Sequence, residues 1–435
     1  MTRERLAKPL ATPGGFPTVE ANLRSERHPM LRNSLPGARP GLMDPALAIV
    51  AVVAPGLEEV AAAELAALGA SEVHPLRRAV ACHTNLAGLY RLHLQARLPF
   101  RLLRELARFP CRDRHDLYDG VQAAADWERW LPPDHSFKVE VSGSLPGLDH
   151  SHFTALQVKN ALVDLQRQLW GQRSSVDLED PDLVLHLHLS PGRPGQGGSA
   201  VLSVEGSGGS LHRRGYRAAM GLAPLKETLA AGLIALTGWD GSVPLLDPLC
   251  GSGTLLIEAA CAALGRAPGL DRPFPLRRWP DFDPELWQRE EQAARAQART
   301  TLADGRPLAA LVGIEHDPKV LAQAQRNAEA AGVAPWIEFR LGDARDLEPP
   351  PGVGLVVCNP PYGERLGERE EAEALHAALG ERLRQRCGGW TLWLLSGNPE
   401  LTRALRMKAS RRIPISNGGI DCRWLRYELR RNGLD

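Results

Sequence analysis

Val353-Gly354-Leu355-Val356-Val357-Cys358-Asn359-Pro360-Pro361-Tyr362 is an apolar run of strand length that stops at an amide, two prolines and an aromatic ring. Val356 and Val357 favour a buried strand. Pro360 and Pro361 end the ladder, because neither has a backbone N–H to donate. Pro361 also pushes Pro360 toward an extended conformation. The segment therefore predicts a stiff shelf at the carboxyl end of a strand, where open α/β sheets bind their ligands. On it Asn359 offers an amide oxygen, Pro360 a carbonyl and Tyr362 a flat ring. Two acceptors beside an aromatic plane suit a planar base with an exocyclic amine: adenine, cytosine or guanine. A proline-rich loop that merely ends a strand has the same composition, so the decision rests on the neighbouring strands.

Three further strand ends precede it. Val243 to Thr254 (Val-Pro-Leu-Leu-Asp-Pro-Leu-Cys-Gly-Ser-Gly-Thr), with apolar residues through Ala260, reads as strand, glycine turn and helix. Glycines admit positive φ and close ligand approach, and the helix start presents free N–H groups. No Gly-Lys-Ser/Thr follows, so this is not a Walker loop; position 256 is Leu, so it is not the dinucleotide Gly-x-Gly-x-x-Gly. A second strand, Ala309 to Ile314, delivers Glu315, an acid placed to accept both hydroxyls of a ribose. Asp317-Pro318 reads as a helix cap with proline in the first position. A third strand, Ile337 to Leu341, leads into Gly342-Asp343-Ala344, where a carboxylate and a backbone N–H can meet an adenine edge. Glycine turn, acid, acid and Asn-Pro-Pro-Tyr, each at a strand's carboxyl end, predict a nucleotide-like cofactor beside an amine substrate.

The 435-residue chain has room for more than this α/β region. Residues 1–43 mix Pro, Gly, Arg and Ser without apolar periodicity and read as a flexible tail; Met43 is an alternative start. Residues 44–206 read as two α+β units. The first combines a strand over Ala46 to Val53 with a helix over Leu57 to Leu68. The second combines strands over Phe137 to Val141, Leu183 to Leu189 and Ala200 to Glu205 with a helix over Phe153 to Trp170. That helix shows apolar positions at Leu156, Val158, Ala161, Leu162, Leu165 and Leu169, and the segment Pro191 to Ser199 reads as a hairpin loop. Ser207-Gly208-Gly209-Ser210 marks the boundary to the α/β region, 207–435, and an Arg-, Pro- and Trp-rich insertion spans Arg266 to Arg299.

Charge is balanced, 52 basic against 51 acidic residues, so a nucleic-acid partner needs local basic patches. Leu86 to Leu106 reads as helical with a break at Pro99, and beyond the break Arg101, Arg104 and Arg108 recur at helical spacing as one basic face. Arg97, Arg112 and Arg114 flank that face; Lys159, Arg213, Arg214, Arg217, Arg272, Arg277 and Arg278 add candidate RNA contacts. Lys226 is a candidate for the cofactor's carboxylate or RNA, or an ordinary helix-surface lysine. His186 and His188 share a strand face without a third ligand, so no metal is expected. Seven scattered cysteines without a Cys-x-x-Cys pair fit a reducing cytoplasm. The apolar run Leu47 to Pro55 is too short to span a bilayer, and the start lacks a signal peptide's apolar core.

Through Asp247 to Thr254 and Asn359 to Tyr362 the sequence resembles the class I S-adenosylmethionine-dependent amino-methyltransferases. More closely, it is similar to the bacterial large-subunit (23S) rRNA guanine-N2 methyltransferases that carry a THUMP domain. The marks are Phe153-Thr154-Ala155-Leu156-Gln157-Val158-Lys159-Asn160-Ala161, Ser175-Val176-Asp177, Pro181-Asp182-Leu183, Leu211 to Arg217, Ala223-Pro224-Leu225-Lys226-Glu227 and Asn417-Gly418-Gly419-Ile420-Asp421-Cys422. The resemblance spans about Leu47 to Leu429. It implies an α+β ferredoxin-like plus THUMP RNA-binding region, then an α/β Rossmann-like methyltransferase domain. It further implies S-adenosylmethionine as cofactor, 23S rRNA or a precursor particle as partner, and no metal or membrane. Asp247, Cys250, Gly251, Gly253, Thr254, Glu315, Asp343 and Ala344 are then expected at the cofactor, and Asn359, Pro360 and Tyr362 at the reacting amine. Family members more often carry Asp where this chain has Glu315. Some relatives are fused to a second methyltransferase domain, which a chain ending at Asp435 is expected to lack. The rival readings are a tRNA guanine-N2 methyltransferase, a DNA adenine methyltransferase, and a non-catalytic RNA-binding or ribosome-assembly factor.

Overall fold

The computed structural model describes residues 46–192, 197–217, 225–362 and 368–430. The expected tail, the tip of the Pro191 to Ser199 loop and Ala223-Pro224 lie outside these residues.

Eight strands form the first sheet: β1 (Leu47–Val52), β2 (Ser71–Leu76), β3 (Ala79–Thr84), β4 (Arg101–Cys111), β5 (Ser136–Gly143), β6 (Ser175–Val176), β7 (Leu183–Ser190) and β8 (Gly198–Glu205). Their spatial order is β2-β3-β1-β4-β8-β7-β5-β6, so the two α+β units share one continuous sheet through the β4–β8 pair. Alternation along β7 buries Leu183, Leu185, Leu187 and Leu189 and turns His186 and His188 to the other face, as predicted. His188 Nδ1 lies 2.8 Å from Ser142 Oγ, a cross-strand hydrogen bond.

β4 corrects the expected basic helix. The helix ends at Gln95, before Pro99, and residues 101–111 pair with β1 on one side and β8 on the other. Leu, Arg, Glu and Ala favour helix locally, but ladders on both sides of a central strand override that propensity. A bulge between Glu105 and Ala107 shifts the register. The helix Ser151–Trp170 forms as expected and ends at Gly171, whose φ is +66°. Its buried stripe runs through Thr154, Val158, Ala161, Leu162 and Gln166; Leu156 and Leu169, expected inside, are 39% and 57% exposed.

The second sheet contains β9 (Leu245–Asp247), β10 (Leu311–Glu315), β11 (Ile337–Leu341), β12 (Leu355–Cys358), β13 (Thr391–Ser396), β14 (Arg411–Asn417) and β15 (Ile420–Glu428). The order is β11-β10-β9-β12-β13-β15-β14, with the first five parallel and β14–β15 an antiparallel hairpin at the edge. β9 and β10 are buried at every position, the mark of a parallel sheet covered on both faces. The chain runs β9, β10, β11 in one direction and returns to place β12 on the other side of β9. The switch point lies between β9 and β12.

The insertion packs against the first sheet's core. Trp287 meets Tyr90 at 5.3 Å and Phe274 at 5.7 Å between ring centroids, and Asp283 donates its N–H to Tyr90 Oη at 2.8 Å.

Candidate active site

Parallel pairing lines up the carboxyl ends of β11, β10, β9 and β12 along one edge: Gly313 is level with Asp247, Glu315 with Leu341, and Val356 with Leu246. The four predicted strand ends are therefore brought together.

The glycine turn is closed from beneath. Gly251 has φ +52° and donates its N–H to Glu315 Oε2 at 3.1 Å, while Asp317 N donates to Glu315 Oε1 at 3.0 Å. Glu315, 8% exposed, thereby joins the ends of β9 and β10. Above Gly251 a Cβ would meet nothing within 4 Å, so the turn faces open space where a ligand can lie against the backbone. Gly253 (φ +80°) is different: a Cβ there would come within 3.0 Å of the Phe339 ring. Thr254 opens the helix that runs to Ala263, and its Oγ1 accepts from Arg217 at 2.7 Å. Cys250 is buried, and its N–H bonds the Ile314 carbonyl at 3.0 Å. Asp317 caps the following helix through Lys319 N at 2.7 Å, as expected.

Asp247 is 1% exposed and forms no ion pair among the described residues; Oδ1 accepts the Leu249 N–H at 3.2 Å. Burial pushes its carboxyl up to about 7, Glu315 adds to the rise, and the Leu249 hydrogen bond only partly offsets it. Asp343 behaves oppositely. Arg345 clasps its carboxylate with Nε at 2.8 Å and a second guanidinium nitrogen, holding it down at about 2. The expected open acceptor for an adenine edge is thus engaged by its neighbour. Ala344, buried, starts a short 3-10 turn.

Cys358 is fully buried and Pro360 is buried, so the strand end is rigid; Asn359 is half-buried. Tyr362 does not present a free ring. Its hydroxyl donates to Asn359 Oδ1 at 2.9 Å and accepts from Asn417 Nδ2 at 3.2 Å, with Cys422 Sγ at 3.8 Å. Burial raises the phenol above its ordinary range. The ring lies against Gly397, where a Cβ would come within 2.9 Å of it. Asn417 and Gly397 were not predicted as site residues. The Asn-Gly-Gly turn was visible in the sequence, but its contact with Tyr362 crosses 55 positions.

The predicted RNA-contact residues mostly turn inward. Arg104 pairs with Asp281 at 2.6 Å and lies over Trp130 and Trp279, while Arg101 pairs with Glu140 and Glu205. Arg108 pairs with Glu105 at 2.8 Å. Arg214, 4% exposed in its side chain, lies 3.5 Å from Glu258 and donates to the carbonyls of Leu211 and Arg97. Arg217 pairs with Glu227 at 2.8 Å. Arg97 and Arg272 donate to backbone carbonyls, Arg278 pairs with Asp182, and Arg277 lies 4.7 Å from the Trp287 ring centre. Apart from Arg108, which is exposed and pairs within its own strand, these arginines join elements to one another. Arg213 is exposed, Lys159 is half-buried, and Lys226 sits 5.7 Å from the Phe100 ring.

Comparisons with known proteins agree with this architecture. Residues 214–426 match the RMKL-like methyltransferase domain, 111–193 the THUMP domain and 48–103 the RlmL ferredoxin-like domain. The chain is 43% identical to "Putative RNA methyltransferase slr0064" of Synechocystis, over 87% of this chain and 96% of that protein. It is 40% identical to "Ribosomal RNA large subunit methyltransferase K/L" of Pseudomonas entomophila, over 86% of this chain. That match covers 51% of the K/L protein, so the chain spans about half the length of such relatives. A solved structure, "SMU.472, a putative methyltransferase complexed with SAH", superimposes with TM-score 0.76 and 28% identity, over 89% of this chain and all of the other.

Proposed function

The chain belongs to the RMKL-like methyltransferases with ferredoxin-like and THUMP domains, and from that premise we propose that it moves a methyl group from S-adenosylmethionine to the N2 amine of a guanosine in 23S rRNA. The observation that carries the reading is the shared edge. An open glycine cradle tied to Glu315 lies at the β9–β10 ends, and the Asn359–Pro360 acceptors lie across the switch point on β12. The relatives named as RNA and large-subunit rRNA methyltransferases, and the neighbour solved with SAH, supply the substrate class and the cofactor.

The residues present fit that cofactor: Gly251 leaves room above its backbone, and the Glu315 carboxylate at the end of β10, already bonded to the Gly251 N–H, would be the acceptor for ribose hydroxyls. When bound, the cofactor supplies an electrophilic methyl on a sulfonium, so the protein's task is alignment. Asn359 Oδ1 and the Pro360 carbonyl accept the two N–H bonds of the exocyclic amine. They favour a pyramidal nitrogen whose lone pair is withdrawn from the ring, and they stabilise the charge that develops there. As the amine takes the methyl group, one of its N–H protons would pass to water. The base must leave its stack to reach this edge. Before it binds, the Tyr362 hydroxyl occupies Asn359 Oδ1. The incoming amine takes over that acceptor while Asn417 keeps a donor on the phenol, freeing the ring to turn toward the base. Asp343 would hold the adenine amine once its Arg345 clasp opens.

The test is nucleoside mass spectrometry of rRNA and tRNA from cells lacking the protein. The expected result is loss of one N2-methylguanosine from 23S rRNA, restored by wild type and not by Asn359→Ala. In vitro, Asn359→Ala lowers kcat by about a hundredfold or more, the scale of one lost transition-state hydrogen-bonding group. Loss from tRNA moves the substrate; unchanged methylated nucleosides overturn the enzymatic reading.

A further inference from the structure

Although many arginines are engaged internally, a group of exposed ones gathers in one place. A cleft of about 1210 Å³ opens between the turn and hairpin of the ferredoxin-like region and the β14–β15 edge of the second sheet. Its lining carries Arg77, Arg78, Arg403, Arg412 and Arg423, contributed by three separate parts of the chain. All five are exposed, and among the described residues none forms an ion pair. Two carboxylates, Glu58 and Asp421, also line it. Glu58 is engaged by backbone: Oε2 accepts Gly56 N at 2.7 Å and Oε1 accepts Arg78 N at 3.0 Å. That second bond holds Arg78 at φ +63°, a conformation unfavourable for a side chain of its size. The cleft's wall is also tight. Gly56 (φ +90°) presses on β14 so closely that a Cβ would lie 2.0 Å from the Pro414 carbonyl oxygen.

The cleft leads to the candidate site. Ser396, Ser416 and Cys422 line it, and Cys422 Sγ and the neighbouring Asn417 both contact the Tyr362 hydroxyl. Five guanidiniums without an ion pair among the described residues line a cleft that ends beside the proposed base-binding edge. That arrangement matches a polyanion whose backbone is followed and whose base is delivered. We propose that this cleft holds the phosphates of the single-stranded RNA segment that flanks the target base, an inference that rests on the RNA reading above. Arg412 stands opposite Leu425 and Arg423 opposite Pro414, so the two arginines are diagonal neighbours on one face of the hairpin and form the floor nearest the site.

The experiment compares wild type with the double variant Arg412→Gln/Arg423→Gln. Its control, Arg289→Gln/Arg306→Gln, loses the same net charge on other exposed arginines. Binding of a labelled single-stranded RNA oligonucleotide is followed by fluorescence anisotropy over a salt series, with S-adenosylmethionine binding and thermal stability measured alongside. The expected result is roughly tenfold weaker RNA binding in the cleft variant. Its log K against log salt slope becomes shallower by about 1.4, at ~0.7 for each phosphate that is no longer neutralised. Cofactor binding and thermal stability stay at wild-type values, and the control keeps the wild-type slope. Equal affinity and equal slope in both variants, with methylation intact, overturn the cleft assignment and leave the proposed reaction standing. Absence of RNA binding by wild type overturns both.

Discussion

Arg214 and Arg412 carry the same guanidinium and do opposite work. Arg214 sits in His212-Arg213-Arg214-Gly215-Tyr216-Arg217, the most RNA-like string in the chain, and is buried against Glu258 and two carbonyls. Arg412 sits in an ordinary edge strand and is exposed, with no ion-pair partner among the described residues. Residues 207–217 connect the two sheets, and there Arg214 and Arg217 have their charges satisfied internally. Arginine suits that task because its planar fork can hold a carboxylate and several carbonyls together. At the cleft the same fork is left for a ligand. Basic composition therefore marks where arginines are, while burial decides what they are for.

The largest expected effect tests the buried half of this comparison. Arg214→Ala leaves Glu258 uncompensated in the core, with only the Tyr216 hydroxyl bonded to its other oxygen at 3.1 Å. Breaking such a pair costs about 3–5 kcal/mol. Chemical denaturation of wild type, Arg214→Ala and the apolar pair Arg214→Met/Glu258→Leu measures it. The single variant should be severely destabilised and the double one should recover most of the loss. A cost below about 1 kcal/mol in the single variant breaks the comparison, because Arg214 would then be no strut.

Asp247 sharpens it from the other side, as a buried carboxyl without an ion-pair partner among the described residues. Its folded-state pKa, raised to about 7 by burial, lies above the ordinary carboxylate value of about 4 in the unfolded chain. Between these values the folded protein holds a proton that the unfolded chain has released, so stability falls as pH rises from about 4 to about 7 and then levels. Asp247→Asn should remove that component, so its stability relative to wild type should be a few kcal/mol greater near neutral pH than at pH 4. Thermal unfolding of both proteins across this range checks the sign. Parallel curves would mean that the carboxylate is solvated or paired after all.

How much of this was legible follows the same division. Parallel strands and their ends were readable because Leu245–Asp247, Leu311–Glu315 and Leu355–Cys358 are short apolar runs closed by residues with few other uses. β4 was not, because its residues favour helix locally and only pairing with β1 and β8 makes them a strand. The site's outline was legible and its resting contacts were not. Arg345 is two residues from Asp343, yet nothing in the pattern says the clasp closes. Tyr362 meets Asn417 only because the β14–β15 hairpin folds against the end of β12. The cleft was least legible, since Arg77, Arg403 and Arg423 come together only through tertiary structure.

The smallest expected effect is on the exposed half. Arg412→Gln removes a charge with no ion-pair partner among the described residues, so no carboxylate there is left uncompensated. An exposed substitution of this kind changes stability by less than about 0.5 kcal/mol. Its denaturation midpoint should therefore coincide with that of wild type at low and at high salt. A clear loss of stability would show that Arg412 contributes to the hairpin's packing, and the contrast with Arg214 would become one of degree. A clear gain, largest at low salt, would carry the opposite lesson. It would mean that the clustered guanidiniums repel one another in the free protein, a strain that screening relieves. That cost would be one the fold retains for the sake of a polyanionic ligand.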